Sequence, residues 1–130
     1  MRLKRHLRRL QDTIYSRREI EVEHLRIEEA LPDRMGAIES RLRFYDGSLL
    51  EFDETLITKR LILVKTDYSY HYQRDDGSLV FRYDSAPHHP ELPGSPCHKH
   101  IGEQVVPTDP PDLSEVLREI DGFLYGSGMK

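Results

Sequence analysis

The strongest constraint on this chain is a pair of Asp-Gly dipeptides, Asp46-Gly47 and Asp76-Gly77, each set between runs in which apolar and polar residues alternate. Alternation with period two puts the apolar side chains on one face of a strand, and a turn residue that tolerates positive φ folds two such runs into an antiparallel hairpin. In the first hairpin, Leu42 and Phe44 share a face with Leu50 and Phe52 if a three-residue loop, Asp46 to Ser48, joins the strands. That register sets Phe44 opposite Leu50. In the second hairpin, a two-residue type I′ turn at Asp76-Gly77 sets Tyr72 opposite Phe81, Tyr70 opposite Tyr83 and, on the other face, His71 opposite Arg82.

The ends of the chain follow a different period. Leu3, Leu7, Leu10 and Ile14 fall on one stripe of a helix with arginines around it, and Leu113, Leu117, Ile120 and Leu124 do the same near the other end. Asp109-Pro110 is the expected start of the second helix, and Gly126 and Gly128 mark its end. Between Arg18 and Leu31 the apolar pair Ile20 and Val22 alternates on one parity and Leu25 and Ile27 on the other, as across a bulge, which predicts a strand and leaves a helix as the alternative. After Asp84, Pro87, Pro90, Pro93, Gly94 and Pro96 oppose helix and central strand, so a long loop is expected there. The whole predicts an α+β fold: a mainly antiparallel β-sheet of five or six strands with an N-terminal and a C-terminal helix, in one domain over residues 1–130.

Composition narrows the setting. No apolar run approaches the roughly 18 to 20 residues that a membrane-spanning helix needs, and no apolar leader with a small-residue cleavage site follows the basic start. The lone cysteine, Cys97, cannot form an internal disulfide, in keeping with a reducing compartment. A cytoplasmic protein without membrane contact is expected. The net charge of −4 conceals an asymmetry: Arg2, Lys4, Arg5, Arg8, Arg9, Arg17 and Arg18 crowd the beginning and Asp109, Asp112, Glu115, Glu119 and Asp121 the end. Such a basic cluster attracts nucleic acid locally, or it matches the acidic end of its own chain.

Chemistry concentrates between Tyr70 and His100. His71, His88, His89, His98 and His100 all fall in or beside this stretch, and histidine serves as base when neutral and acid when charged. Metal-independent RNA cleavage needs such a pair, plus a cation for the charge that builds on phosphorus. On that reading His88, His98 and His100 are the acid–base candidates. Arg82 and Lys99, with Arg74 and His71 nearby, bind phosphate and RNA, and Tyr72 and Tyr83 stack on bases. The same residues leave other readings open. Aromatics paired across a hairpin also build cores, and His71 with Arg82 also makes an ordinary cross-strand polar pair. His88, His89, Cys97, His98 and His100 offer ligands for zinc, although their spacing is not that of a zinc finger. There is neither a G-x-S-x-G elbow nor a glycine-rich phosphate loop.

The stretch from Tyr70 to Leu92 (YHYQRDDGSLVFRYDSAPHHPEL) and the PCHKH run at Pro96 to His100 together resemble the TumE family of toxins from toxin–antitoxin modules. The resemblance is to a tyrosine-rich strand, a D-G turn, an F-R-Y-D strand, a P-H-H-P-E loop and an H-K-H triplet, and it spans about a quarter of the chain. It implies a toxin held in check by a cognate antitoxin, and with the histidine cluster it points to RNA as the target, without a cofactor. Two rival functions stand beside it: a non-enzymatic partner-binding module, and a metal-dependent nuclease or hydrolase that uses the His/Cys loop to hold zinc. A homodimer is a further open partner.

Overall fold

The computed structural model describes residues 2–85 and 97–126. Along the chain run α1 (Arg2–Tyr15), β1 (Ile20–Leu31), β2 (Met35–Phe44), β3 (Leu49–Lys59), β4 (Ile62–Gln73), β5 (Leu79–Asp84), β6 (His98–Ile101), β7 (Gln104–Pro107) and α2 (Leu113–Leu124). The strands form a single sheet in sequence order, β1-β2-β3-β4-β5-β6-β7, every neighbouring pair antiparallel. This is the expected α+β architecture, with seven strands where five or six were expected. β6 and β7 occupy sequence that the prolines upstream had marked as loop, and each is only four residues long.

Both helices pack on the same face. The predicted stripe of α1, Leu3, Leu7, Leu10 and Ile14, is fully or almost fully buried, and α2 contributes Leu113, Val116, Leu117 and Ile120. They cover Leu42, Phe44, Leu50, Phe52, Leu56, Tyr70, Tyr72 and Phe81 of the sheet. Each fully buried leucine or phenylalanine contributes roughly 1.5–3 kcal/mol, so the helix-covered face carries most of the stability. The second helix starts later than Asp109-Pro110 suggested. Its N-cap is Asp112, whose Oδ2 accepts from the Ser114 N–H (3.2 Å), while Glu115 Oε1 accepts from the Asp112 N–H (2.9 Å). This reciprocal capping box satisfies two backbone donors at once and outcompetes the earlier start.

The β1 bulge lies between Val22 and His24, where the parity of apolar residues switches. The first hairpin has a three-residue loop, as expected, but it comprises Tyr45 to Gly47, and Leu50 stands opposite Leu42 instead of Phe44. Gly47 takes a φ of +87° as the third loop residue, while Asp46 accepts from the backbone of Ser48 at 3.0 Å. A glycine at that position closes the turn without a Cβ clash, and this decides the register. In the second hairpin Tyr72 faces Phe81, Tyr70 faces Tyr83 and His71 faces Arg82, as predicted. The turn itself is not type I′. Gly77 alone has positive φ (+90°), the loop has three residues, and a bulge between Tyr72 and Gln73 restores the pairing.

Candidate functional site

With both helices on one side, the other face of the sheet stays open, and strand register decides which side chains meet there. Arg41 of β2, Glu51 of β3, His71 of β4, Arg82 of β5 and His100 of β6 stand opposite one another in a continuous row across five strands. One step along, Asp53, Ser69, Asp84 and His98 form a second row. The face is concave between β1 and β5, enclosing about 650 Å³ lined by Glu23, His24, Arg41, Glu51, His71 and Arg82 among others.

Arg82 is the hub. Its Nε donates to Asp84 Oδ2 at 2.9 Å, and its Nη1 reaches His71 Nδ1 at 3.4 Å. Asp84 is almost fully buried and also lies 3.4 Å from His100 Nε2. The side chain of Arg82 remains 41% exposed, so its guanidinium is oriented from below and accessible from above. A guanidinium has only donors, so the contact with His71 Nδ1 requires a bare ring nitrogen there, as in neutral imidazole. The same Asp84 Oδ2 faces both the Arg82 guanidinium and the His100 ring. Asp53, on the floor of the concavity, has its carboxyl pushed up by withdrawal from water. Arg82 opposes that shift, while Glu39 and Asp67 add to it.

The remaining candidates are dispersed. His98 is buried opposite Asp84, on the open-face parity but beneath the surface. Lys99 points to the helix side, where its Nζ donates to Glu119 Oε2 (2.6 Å) and lies 4.8 Å from the centre of the Tyr83 ring. Tyr83 also faces that side and donates to Glu119 Oε1 at 2.7 Å. Tyr72 is a core residue whose hydroxyl donates to Ser48 Oγ (2.8 Å), which leaves its ring no free face for a base. Arg74 sits at the second turn, 3.3 Å from Ser78 Oγ. His88 and His89 lie outside the described residues. Cys97 is a free, half-buried thiol, and among the described residues no group of three or more His, Cys, Asp or Glu side chains could hold a metal ion.

Asp84 and Glu51 were passed over in the sequence, yet the signal was present. Arg82 and Asp84 are two apart on one strand and therefore share a face. A second charged centre was not foreseen. Glu54 is fully buried under α1, where Oε1 accepts from His6 Nε2 (3.0 Å) and Oε2 lies 3.2 Å from Lys65 Nζ and accepts from the Tyr70 hydroxyl. Lys65 also donates to Tyr70 Oη (2.8 Å) and to the Pro111 carbonyl (2.9 Å). Burial pushes the Glu54 carboxyl up, but His6, Lys65 and Tyr70 together bring it below the ordinary range. Burial raises the Tyr70 phenol, and Glu54 raises it further.

The fold and face define an α+β protein with one helix-covered and one open, histidine- and arginine-bearing side of an antiparallel sheet. The family model described as Toxin TumE matches residues 7–124, so the chain belongs to the TumE toxin family, and toxins of this kind have an antitoxin partner. Neither a curated protein nor a solved structure matches it. Among the described residues, no helix is long and apolar enough to cross a membrane.

Proposed function

We propose that this toxin acts on RNA by metal-independent phosphodiester cleavage, with the reacting phosphate bound at Arg82 between His71 and His100. The observation that carries the proposal is the row itself: two histidines flank one exposed arginine on an open face, anchored by the buried carboxylate of Asp84. Adjacent strands lie about 4.8 Å apart, so the two histidines start roughly 10 Å apart at the backbone, with room between them for a phosphate. Binding that phosphate draws the Arg82 guanidinium away from His71 and releases Nδ1. His71 then takes the proton from the ribose 2′-hydroxyl, whose oxygen attacks phosphorus. His100, which faces Asp84, acts in its protonated form and gives that proton to the departing 5′-oxygen, and Arg82 balances the charge on the phosphoryl oxygens. The products are a 2′,3′-cyclic phosphate and a 5′-hydroxyl. His98 and Lys99 of the H-K-H run then support the site from beneath and from the opposite face.

The test is incubation of the purified chain with mixed cellular RNA, with and without a chelator. Chelator-resistant cleavage that is lost in His71→Ala and His100→Ala supports the proposal. Cleavage abolished by the chelator would transfer the chemistry to a metal. No cleavage, with antitoxin binding intact, would leave a binding module.

A further inference from the structure

The end of the sheet formed by the β1–β2 and β3–β4 turns departs from the rest of the surface in three ways. The first is backbone strain. Arg60 and Leu61, the central residues of the β3–β4 turn, both have positive φ (+50° and +70°), a conformation that disfavours a side chain. The two Asp-Gly turns at the opposite end place glycine where φ is positive, so the chain has the usual remedy at hand and does not apply it here. The second departure is apolar exposure. Leu61 is 78% exposed and Ile62 62%. On the open face, register aligns Leu31, Met35, Ile57 and Val64 across four strands, and Leu31, Met35 and Val64 are exposed. Soluble proteins keep such contiguous apolar surface mainly where something binds.

The third departure is charge. Arg34, Lys59 and Arg60 rim this apolar surface, and all are exposed. Among the described residues none of them has an ion-pair partner, whereas Arg9, Arg17, Arg41, Arg43 and Arg82 each have a carboxylate. Leu3 packs against Gly36, its Cδ1 3.1 Å from where a Cβ would stand, which sets the basic start of α1, with Lys4 and Arg5, over the same end.

We infer that this basic, apolar-centred end of the sheet is the docking surface for the antitoxin, through a segment that presents carboxylates around apolar side chains. Charge chooses among the occupants. A second copy of the chain in a two-fold contact would bring Arg34, Lys59 and Arg60 against their own kind. RNA would use the cations but gains nothing from a strained turn that projects leucine and isoleucine. An acidic, amphipathic protein segment uses both, with Leu61 as the central anchor and the cations at the rim. The inference rests on the family's need for an antitoxin and is independent of the RNA chemistry on the other part of the open face.

The full chain is co-expressed with the protein encoded by the adjacent antitoxin reading frame, carrying a photo-crosslinking amino acid in place of Leu61 or, as control, of Asp76 at the opposite end. An adduct with the antitoxin from position 61 and none from 76 is expected. An adduct from 61 to RNA or to a second copy, or an antitoxin adduct from 76 alone, overturns the inference. A second measurement guards against misfolding. The double variant Arg60→Asn, Leu61→Gly converts the turn to one that accepts positive φ, and its melting temperature should rise by about 3–8 °C. Its affinity for the purified antitoxin should fall by about thirtyfold or more. A stabilised variant that binds within about twofold of the parent would show that the turn has no part in docking.

Discussion

Glu54 and Asp84 are both buried carboxylates on neighbouring parts of one sheet, and each holds a histidine and a cation. They differ in what covers those partners. The side chains of His6 and Lys65 beside Glu54 are 13% and 16% exposed under α1. Arg82 beside Asp84 is 41% exposed on the open face. An enclosed set of charges has no other partner to turn to and fixes α1 to the sheet. A carboxylate whose cation remains open to solvent orients that cation without consuming it, so the guanidinium can exchange part of its contact for a phosphate. Burial of the cation, more than burial of the acid, separates the structural centre at Glu54 from the one proposed to bind phosphate.

The largest effect is expected on the enclosed side. Glu54→Ala leaves His6 and Tyr70 without their acceptor and Lys65 without its carboxylate in a dry environment, which typically costs about 3–5 kcal/mol. Denaturant unfolding should register that loss, and a value below about 1 kcal/mol would break the contrast at its structural pole. On the open side the expectation is reversed. His100→Ala should lower RNA cleavage by about a hundredfold or more, and Arg82→Lys, which loses the guanidinium fork but keeps a cation over the buried Asp84, by about tenfold or more with stability changed by about 1 kcal/mol or less. Loss of fold in parallel with loss of cleavage would make the open row structural as well.

Acid sharpens the same comparison. Glu54 and Asp112 both have folded-state carboxyls below their ordinary values. For Glu54 the hydrogen bonds and charges of His6, Lys65 and Tyr70 overcome burial, and for Asp112 those of Arg9 and Ser114 do. A lowered carboxyl contributes stability that is fully present above its unfolded value and is lost as pH falls through the folded one. Melting temperature should therefore drop as pH descends below the ordinary carboxylate values of 4.5 and 3.8. Asp53 has the opposite sign. Its raised carboxyl favours the folded state as pH falls, which offsets a little of the loss. Asp112→Asn keeps a cap oxygen but removes the charge facing Arg9, so it should flatten the lower part of the curve, with about 0–1 kcal/mol removed at neutral pH. An unchanged curve would mean that the Arg9–Asp112 pair contributes nothing.

The sheet was legible because its code is local. Period-two alternation and two Asp-Gly turns mark β2 to β5, and the expected pairings Tyr72 with Phe81 and His71 with Arg82 hold because the bulge between Tyr72 and Gln73 compensates for a loop one residue longer than expected. The first register was misplaced by two residues because it depends on which loop position needs positive φ, and that is settled by backbone geometry around Gly47 more than by composition. The site was only half legible. His71, Arg82 and His100 come from three strands, and their common face is fixed by register. Lys99, next to His100 in sequence, turns to the opposite face by the same alternation. Asp84 closes the F-R-Y-D strand two residues from Arg82 and so shares its face, but alternation does not mark the acid at a strand's end as buried. Glu54 was overlooked because its partners lie on α1 and β4, far along the chain, and nothing local marks it as buried.

The smallest expected effect tests the two faces at adjoining residues. Lys99 and His100 are neighbours on β6, but Lys99 stands opposite Tyr83 on the helix side and pairs with Glu119 at 2.6 Å. Lys99→Met keeps the aliphatic stem against Tyr83 and Phe81 and removes only the ammonium. A partly exposed ion pair is worth about 0–1 kcal/mol, so unfolding should change by no more than that. RNA cleavage should stay within about twofold of the parent, because the ammonium is on the far side of the sheet from the phosphate site proposed at Arg82. Burial alone would lower the Lys99 ammonium, but Glu119 and Tyr83 raise it above the ordinary lysine value. Its small stabilising share is therefore present at neutral pH and is lost only as pH rises through that raised value, and Lys99→Met should erase this alkaline component. Arg82→Met, made alongside, removes a cation of the same charge from the open face, one strand away. If Lys99→Met instead lowered cleavage tenfold or more with stability intact, phosphate binding would belong to the helix-covered side, and the division of labour between the two faces would fail.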